Sequence, residues 1–303
     1  MPIDRWDALT VPPSASLLIP RLCIIGVGLI GGSLALALKQ AGAVGEVVGA
    51  GRREGSLSRA LELGVIDRLE TDLAAAVAAA DVVVVAVPLG AMFKIFAAIA
   101  DHLPQGCVLT DVGSVKGSVI ADVERVFGRP PATFVPGHPI AGTEKSGVEA
   151  SIPGLFHQRR VILTPLVETT ASAHDLVRQM WEMTGAEVVD MGVRHHDDVL
   201  AATSHLPHVL AYAMVDTLAR MDDWAEIFRY AAGGFRDFTR IASSDPQMWH
   251  DICLANRDPL LAVIEHYCRD LDQLTDAIRD RNGAAIMEIF QRAKQARDNL
   301  YRD

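Results

Sequence analysis

Cysteine is scarce and scattered in this chain. Its four cysteines are Cys23, Cys107, Cys253 and Cys268, and none belongs to a C-x-x-C pair. Such wide spacing argues against a zinc knuckle, a redox dithiol or a disulfide-stapled scaffold. We therefore expect buried thiols in a reducing cytoplasm.

Positive charge is also in short supply. The 303 residues include 28 Lys and Arg against 38 Asp and Glu, which gives a formal net charge of −10. That sign opposes binding to a nucleic-acid backbone or an anionic membrane, both of which attract basic proteins. We expect neither as a partner, although the total charge is compatible with a local basic site.

Long apolar runs are lacking as well. The most apolar stretch, residues 22–38, is slightly short for a membrane span and is interrupted by four glycines and Ser33. Residues 1–20 have no basic region followed by an apolar block and a small-residue cleavage site, so they do not form a secretory signal. We interpret them as a loose Pro/Ser-rich arm and expect a cytoplasmic protein.

Residues 21–166 alternate short β-branched runs with Ala- and Leu-rich helical segments such as Gly31–Gln40 and Leu57–Leu63. This alternation is typical of βαβ units around a parallel sheet, and it predicts a doubly wound α/β domain. The predicted strands are Leu22–Ile25, Val47–Gly49, Val82–Val87, Val108–Thr110, Thr133–Pro136 and Val161–Leu163.

After Pro165 the strand signal fades, apart from Glu187–Met191, and helical periodicity dominates from Asp197 onwards. We expect a second, helical domain over residues 167–303. One predicted helix has an apolar seam whose spacings alternate between four and three residues, which marks one helix face. The seam consists of Leu260, Ile264, Tyr267, Leu271, Leu274 and Ile278. It packs either into the core of its own chain or against a second subunit.

A glycine-rich loop follows the first predicted strand. Its sequence, Gly26-Val27-Gly28-Leu29-Ile30-Gly31, fits G-x-G-x-x-G and opens a predicted helix, the context in which this motif indicates a dinucleotide site. Gly26 permits the tight turn, Gly28 lets the backbone approach a pyrophosphate, and Gly31 lets helix and strand pack closely. Because a merely structural turn fits this context less well, we predict a Rossmann-type nucleotide site.

The end of the second predicted strand bears on the choice between NAD and NADP. An NAD site usually has an acidic residue there for the ribose hydroxyls, whereas this chain has Ala50-Gly51-Arg52-Arg53. Two guanidiniums without a carboxylate favour a 2′-phosphate, so we predict NADP over NAD, with Ser56 or Ser58 adding a hydroxyl contact. The alternative is that Arg52 and Arg53 are solvated surface residues.

Four further motifs are too particular for a generic globular sequence. They are Asp111-Val112-Gly113-Ser114-Val115-Lys116, Gly137-His138-Pro139-Ile140-Ala141-Gly142-Thr143-Glu144, Ser204-His205-Leu206-Pro207-His208 and Gly233-Gly234-Phe235-Arg236-Asp237-Phe238-Thr239-Arg240. In this order behind a nucleotide loop, they make residues 21–300 resemble the prephenate and arogenate (cyclohexadienyl) dehydrogenases of tyrosine biosynthesis. The resemblance implies a dinucleotide-binding domain, an all-α dimerisation domain and a homodimer.

The resemblance also implies a reaction. A hydride passes from ring C4 of prephenate and/or arogenate to the nicotinamide while the ring carboxylate leaves as CO2, which gives 4-hydroxyphenylpyruvate and/or tyrosine. Such chemistry needs a base for the C4 hydroxyl, a cation for the ring carboxylate and a dry pocket.

By this resemblance His138 is the catalytic histidine. We expect it on a sharp Gly-His-Pro turn, with a pKa near 6.5 provided that its environment leaves the reference value unchanged. The alternative is a turn histidine that only caps. Ser114 matches a serine that bonds the substrate hydroxyl and this histidine, and a second role would be to cap a helix beginning near Val115. Pro88 and Ser114 join the expected cofactor-binding residues, and Lys116 is not assigned a catalytic role.

Arg240 matches the arginine that holds the ring carboxylate, and its planar guanidinium suits that group. Arg236 lies one helical turn away, and its alternative role is a surface ion pair with Asp237. Gly233 either allows close backbone approach to the ligand or ends a helix.

His205 and His208 are three residues apart and therefore share one predicted helix face. Because no carboxylate or thiol at ligand spacing is nearby in sequence, we expect no metal there. By resemblance His208 lines the substrate pocket and His205 supports it. His196-Asp197 matches a His-Asp pair at the start of a long helix, where capping of that helix suffices to explain Asp197.

Arg194 lies in a segment that resembles the wall facing the substrate side chain. A cation there would repel the ammonium of arogenate, so we predict prephenate over arogenate. The alternative is a solvated surface position for Arg194.

Two other functions share parts of this pattern. A β-hydroxyacid dehydrogenase or imine reductase has a nucleotide domain followed by helices, but it would not explain the Gly-His-Pro, Ser-His-Leu-Pro-His and Phe-Thr-Arg motifs together. A non-catalytic NADP-binding redox sensor would have no use for the candidate acid–base and carboxylate-binding residues.

Overall fold

The computed structural model describes residues 17–143 and 145–300. Most of the predicted arm therefore lies outside the described residues, as does Glu144. The first strand begins at Ile19, inside the segment that we expected to be a loose arm. None of the helices in the described part of the chain is both long and apolar enough to span a membrane.

The first half of the chain is built on a parallel sheet of six strands. These are β1 (Ile19–Ile25), β2 (Val44–Ala50), β3 (Arg68–Glu70), β4 (Val82–Val85), β5 (Val108–Asp111) and β6 (Phe134–Val135). Their order in the sheet is β3-β2-β1-β4-β5-β6, the arrangement of a doubly wound Rossmann fold. The predicted fold class is confirmed. Strand β3 was not predicted, because three half-buried residues give too short a pattern.

Helices cover both faces of this sheet. They are α1 (Leu29–Gln40), α2 (Glu54–Glu62), α3 (Leu73–Val77), α4 (Leu89–Ile99) and α5 (Lys116–Phe127). Alternate side chains of a strand point to opposite faces, and the two apolar cores follow that rule. Ile24 and Leu34 belong to one core, and Cys23 and Phe96 belong to the other.

A second, three-stranded sheet carries the Gly-His-Pro motif. Strand β7 (Gly137–Pro139) pairs antiparallel with β8 (Arg160–Leu163), which pairs parallel with β9 (Glu187–Asp190). His138 thus lies in a short strand rather than on the sharp turn that we expected. Glycine and proline weaken a strand pattern, which explains why β7 was missed.

One core of the first half includes residues that lie beyond the boundary expected at residue 166. Helix α6 (Ala171–Glu182) packs Trp181 against Phe156, with ring centroids 5.1 Å apart, and both rings are fully buried in one of the cores of the first domain. We therefore propose a domain boundary near Gly192 in place of one at residue 166.

The rest of the described chain is helical, as expected. Its α-helices are α7 (Val193–Leu200), α8 (Leu206–Ala219), α9 (Trp224–Arg229), α10 (Gly233–Thr239), α11 (Pro246–Ala255), α12 (Arg257–Arg279) and α13 (Gly283–Asn299). A π-helical segment, Ala201–His205, joins α7 to α8 directly. Pro207 has no N–H for an i−4 bond and would clash with the carbonyl one turn earlier, which is a physical reason for irregular winding just before it.

The predicted apolar seam lies on α12, but only one end of it is buried within the chain. Leu260 is 4% exposed, whereas Tyr267, Leu271 and Ile278 are 38%, 46% and 58% exposed. Packing inside its own chain therefore accounts for only part of this face.

Candidate active site

The glycine-rich loop lies where β1 and β4 meet, at the switch point of the sheet. Gly26 has a φ of +100°, and a Cβ there would lie 2.3 Å from the Ala86 carbonyl oxygen. A Cβ on Gly31 would lie 2.5 Å from the Gly26 carbonyl oxygen, so neither position tolerates a side chain. A Cβ on Gly28, by contrast, would meet nothing within 4 Å. The loop therefore leaves open space in front of the first amides of α1, as a bound pyrophosphate requires.

The other expected cofactor residues lie at the same edge of the sheet. Arg52 and Arg53 follow β2 and are exposed, and Arg53 is the N-cap residue of α2. Ser56, in the first turn of α2, is exposed too. Pro88 is the N-cap residue of α4 and follows β4.

His138 is buried against a second histidine. Its Nδ1 lies 2.9 Å from Nε2 of His196, and the two rings meet edge to face with centroids 5.1 Å apart. His138 is 9% exposed and His196 is fully buried. A short strand of one domain and helix α7 of the other thus bring these two rings together.

Beneath His138 lies a fully buried ion pair. Lys116 Nζ is 2.5 Å from Asp111 Oδ2, and it also donates to the carbonyl oxygen of Gly137 at 2.6 Å. Asp111 accepts the amides of Gly113 and Gly137. The pair therefore ties the end of β5 and the start of α5 to the residue that precedes His138.

The surroundings of His138 hold its imidazole neutral. Burial lowers the pKa of His138 well below the usual 6.5, and the neighbouring His196, Lys116 and His205 lower it further because they disfavour a second positive charge. The pKa near 6.5 was expected only for an environment that leaves the reference value unchanged, and this environment lowers it. The sequence alone did not show this burial or these neighbouring groups.

Asp197 caps a helix, but not the one that contains it. Its Oδ1 accepts the Lys116 amide at 2.9 Å and its Oδ2 accepts the Gly117 amide at 2.8 Å, at the N-terminus of α5. Asp197 itself is the fifth residue of α7. The N-cap residue of α5 is Val115, so the cap that we expected from Ser114 is supplied by Asp197, from the other domain.

The Ser-His-Leu-Pro-His motif packs around a tryptophan. His208 stacks on Trp249 with ring centroids 3.6 Å apart, and His205 meets the same ring edge to face at 6.1 Å. His205 is 1% exposed and lies 3.0 Å, Nδ1 to Nδ2, from Asn256. Sequence reasoning missed Trp249 and Asn256, because isolated residues outside any motif give no signal.

Both histidines of this motif have lowered pKa values. Burial lowers the pKa of His205 to about 4, and the nearby Asp197 carboxylate only partly opposes that effect. Burial also lowers the pKa of His208, and the positive charge of Arg240 lowers it further. This effect shows that Arg240, which follows α10, lies within electrostatic reach of His208.

The remaining expected residues are exposed. Gly233 is exposed and begins α10, so the alternative that it ends a helix is wrong. Arg236, on α10, is exposed. The Arg194 side chain is 96% exposed, with its Nε 3.9 Å from an Asp198 carboxylate oxygen, which agrees with the surface alternative. The structure therefore gives no support to a prephenate preference based on Arg194.

Fold and site together define a nicotinamide-dinucleotide-dependent dehydrogenase with a helical second domain. Residues 34–190 match the family model of the prephenate dehydrogenase nucleotide-binding domain, and residues 193–292 match that of the prephenate dehydrogenase dimerization domain. The chain belongs to the prephenate dehydrogenase family. This membership confirms the resemblance inferred from the motifs.

Curated relatives and solved structures agree with this assignment. The chain is 40% identical to a cyclohexadienyl dehydrogenase of Zymomonas mobilis over 93% of its own length and 97% of the relative's. It is 35% identical to a prephenate dehydrogenase of Bacillus subtilis, over 92% and 76% of the two chains. The structure superposes on Aquifex aeolicus prephenate dehydrogenase in complex with hydroxyphenyl propionate and NAD+, with a TM-score of 0.86, 38% identity and coverage of 93% and 98%.

Proposed function

We propose that this chain catalyses the oxidative decarboxylation of prephenate and/or arogenate in tyrosine biosynthesis. The observation that carries the proposal is His138, a buried neutral imidazole beside the carboxyl ends of β5 and β6 in a Rossmann domain of this family. Open α/β sheets bind their ligands at this edge. The match to both family models and the identity to cyclohexadienyl and prephenate dehydrogenases support the same activity.

Each demand of the reaction has a candidate residue. The glycine-rich loop at residues 26–31 would hold a nicotinamide cofactor, which would supply the acceptor for the hydride from C4. His138 accepts the proton of the C4 hydroxyl as that carbon becomes a carbonyl, and returns it to the phenol oxygen after the ring carboxylate has departed as CO2. Ser114 is our candidate for a further hydrogen bond to the substrate hydroxyl.

The candidate residues for substrate binding lie in the other domain. Arg240 is our candidate for the ring carboxylate, and the stacked pair of His208 and Trp249 forms a wall beside it. His205 lies buried against the same tryptophan and supports this wall. Tight binding of the leaving carboxylate would oppose its loss, so we assign Arg240 mainly to binding and orientation.

The activity is tested by following CO2 release and reduced cofactor on prephenate and on arogenate. His138→Asn should lower kcat by about 10²- to 10⁴-fold, as expected of a lost general base, while KM changes less. His195→Asn is the matched control, because His195 is exposed on the surface of α7. Full kcat in the His138 variant, or no turnover of either substrate by the wild type, would refute the proposal.

For the cofactor we propose NADP over NAD. The support is the Gly51-Arg52-Arg53 loop at the end of β2, which offers two guanidiniums and no carboxylate. The double variant Arg52→Ala, Arg53→Ala should raise KM for NADP and leave KM for NAD nearly unchanged. A wild type that turns over NAD faster than NADP at equal subsaturating concentrations would show that these arginines are surface residues.

We further propose a homodimer in the cytoplasm. Apolar side chains on α12 and α13 support the dimer, since Leu271, Ile278, Met287 and Phe290 are each about half exposed in the single chain. The match of residues 193–292 to a dimerization domain points the same way. Cys23 and Cys107 are buried, as expected, whereas Cys253 is half-buried and Cys268 is exposed. Four free thiols support a reducing compartment.

A further inference from the structure

A hydrogen-bonded chain behind His138 ends at a single carboxylate. His138 Nδ1 lies 2.9 Å from His196 Nε2, and His196 Nδ1 lies 2.8 Å from Asp197 Oδ1. His196 is fully buried and Asp197 is 7% exposed. The reaction proposed above gives neither His196 nor Asp197 a role.

The carboxylate determines the direction of each hydrogen bond in this chain. The Asp197 oxygens already accept the Lys116 and Gly117 amides, and an ionised carboxylate can only accept. His196 must therefore donate from Nδ1. Neutral His196 then has its lone pair on Nε2, so His138 must donate from Nδ1. The lone pair of neutral His138 is consequently on Nε2, the nitrogen directed away from His196.

We propose that Asp197, acting through His196, is a positioning residue that fixes His138 in the tautomer with a basic Nε2. The inference rests on the proposed function, because it takes His138 as the general base. Asp197 also holds the N-terminus of α5, so one carboxylate couples the docking of the two domains to the orientation of the base. When His138 takes up a proton, the same chain places the negative charge of Asp197 two hydrogen bonds away from the imidazolium.

The other charged and titratable groups around the chain agree with this direction. Burial lowers the pKa of His138, and His196, Lys116 and His205 lower it further, so the imidazole is neutral before the reaction. The Lys116 charge is paired with the Asp111 carboxylate. Burial raises the pKa of Asp197, but hydrogen bonds from His196 and from the two amides outweigh it, and the net pKa is lowered. The acceptor at the end of the chain is therefore ionised.

Asn256 supports this arrangement from the side of α11 and α12. It is 2% exposed, and its Nδ2 donates to the main-chain oxygen of Asp197 at 2.8 Å. The same amide nitrogen lies 3.0 Å from Nδ1 of His205, which therefore accepts. Asp197 is thus fixed at both its side chain and its backbone.

The first experiment removes the hydrogen bonds of His196 and keeps the Asp197 cap on α5. His196→Phe retains a ring of similar size and leaves Asp197 free to cap α5, but it takes away both ring nitrogens. We expect kcat on prephenate or arogenate to fall about 10- to 100-fold, with KM within about twofold, because orientation of the base matters only for the chemical step. His195→Phe is the matched control on the exposed side of α7. Wild-type kcat in the folded His196 variant would overturn the proposal.

The second experiment determines the tautomer of His138 without substrate turnover. Two-dimensional 1H–15N spectra of the imidazoles in the full protein should show His138 protonated at Nδ1 in the wild type. Both tautomers should be populated in His196→Phe, and Asp198→Asn should match the wild type. A wild-type His138 protonated at Nε2 would overturn the proposal. Because these spectra need no substrate, they remain decisive if the proposed activity fails.

A third variant guards against misfolding. If His196→Phe does not fold, Asp197→Asn takes its place, since it removes the charge while its one oxygen can still accept one of the two α5 amides. We expect at least a tenfold loss of kcat and a changed ratio of His138 tautomers. Unchanged kcat together with an unchanged tautomer would show that Asp197 serves the helix alone.

Discussion

Asp111 and Lys116 form an ion pair in which neither side chain has any exposed surface, with Oδ2 and Nζ 2.5 Å apart. Burial lowers the pKa of Lys116, and the adjacent carboxylate only partly opposes that effect. The pair links β5 to α5, and Lys116 also bonds the Gly137 carbonyl oxygen. It therefore fixes the backbone from which His138 projects.

Removing one partner of this ion pair should lower the free energy of unfolding considerably. Lys116→Met keeps the volume but leaves the Asp111 charge unpaired in the interior, so we expect a loss of about 3–5 kcal/mol in the free energy of unfolding. Urea denaturation measures that loss. Lys94→Met, which removes an exposed lysine on α4, is the control and should change stability by less than about 0.5 kcal/mol. Equal midpoints for the two variants would contradict the expectation.

Stability should fall as the solution is acidified below neutrality. The pKa of His205 is about 4 in the folded chain and about 6.5 when unfolded, so below pH 6.5 the unfolded state binds more protons. The contribution of His205 to the free energy of unfolding is complete above pH 6.5 and is lost as the pH falls toward 4. Between pH 7 and pH 5, His205 alone should remove about 2 kcal/mol, and the lowered pKa of His138 acts in the same direction.

The matched variants for this pH effect are His205→Gln and His195→Gln. Urea midpoints at pH 7 and pH 5 should differ less in the His205 variant than in the wild type. The His195 variant replaces an exposed residue and should behave as the wild type does. A His205 variant with an undiminished pH dependence would show that other groups cause it.

Arg240→Gln should raise KM for the substrate about 10- to 100-fold with a smaller effect on kcat, because it removes a charge-assisted contact to the ring carboxylate. The same substitution should raise the pKa of His208, since the Arg240 charge contributes to lowering it. Steady-state kinetics and an NMR titration of His208 measure the two effects. Arg236→Gln is the control from the exposed face of α10, and an equal rise of KM in both variants would argue against a specific role for Arg240.

Sedimentation of the wild type should give a mass about twice 32.6 kDa. Leu271→Lys combined with Ile278→Lys places charges on the exposed apolar face of α12 and should shift the protein toward monomer. Val167→Lys is the control, because this valine is fully exposed on the other domain. A wild-type monomer at micromolar concentration would exclude the proposed dimer.

The sequence by itself determined the features that depend on local pattern. The G-x-G-x-x-G loop between a strand and a helix predicted the Rossmann domain, since only glycine fits positions such as Gly26 beside the Ala86 carbonyl oxygen. The buried strands were recognisable because β-branched runs such as Val82–Val85 are covered on both faces. The four ordered motifs identified the family, which the family models then matched.

Only the tertiary structure decided which groups meet. Residues 138 and 196 are far apart in sequence, and nothing in either segment shows that His138 and His196 lie 2.9 Å apart. Asp197 was expected to cap its own helix, yet it caps α5, because the docking of the helical domain brings its carboxylate to the Lys116 and Gly117 amides. The lowered pKa of His138 has the same origin. Desolvation and neighbouring charge depend on packing between distant segments, and a linear pattern carries no record of that packing.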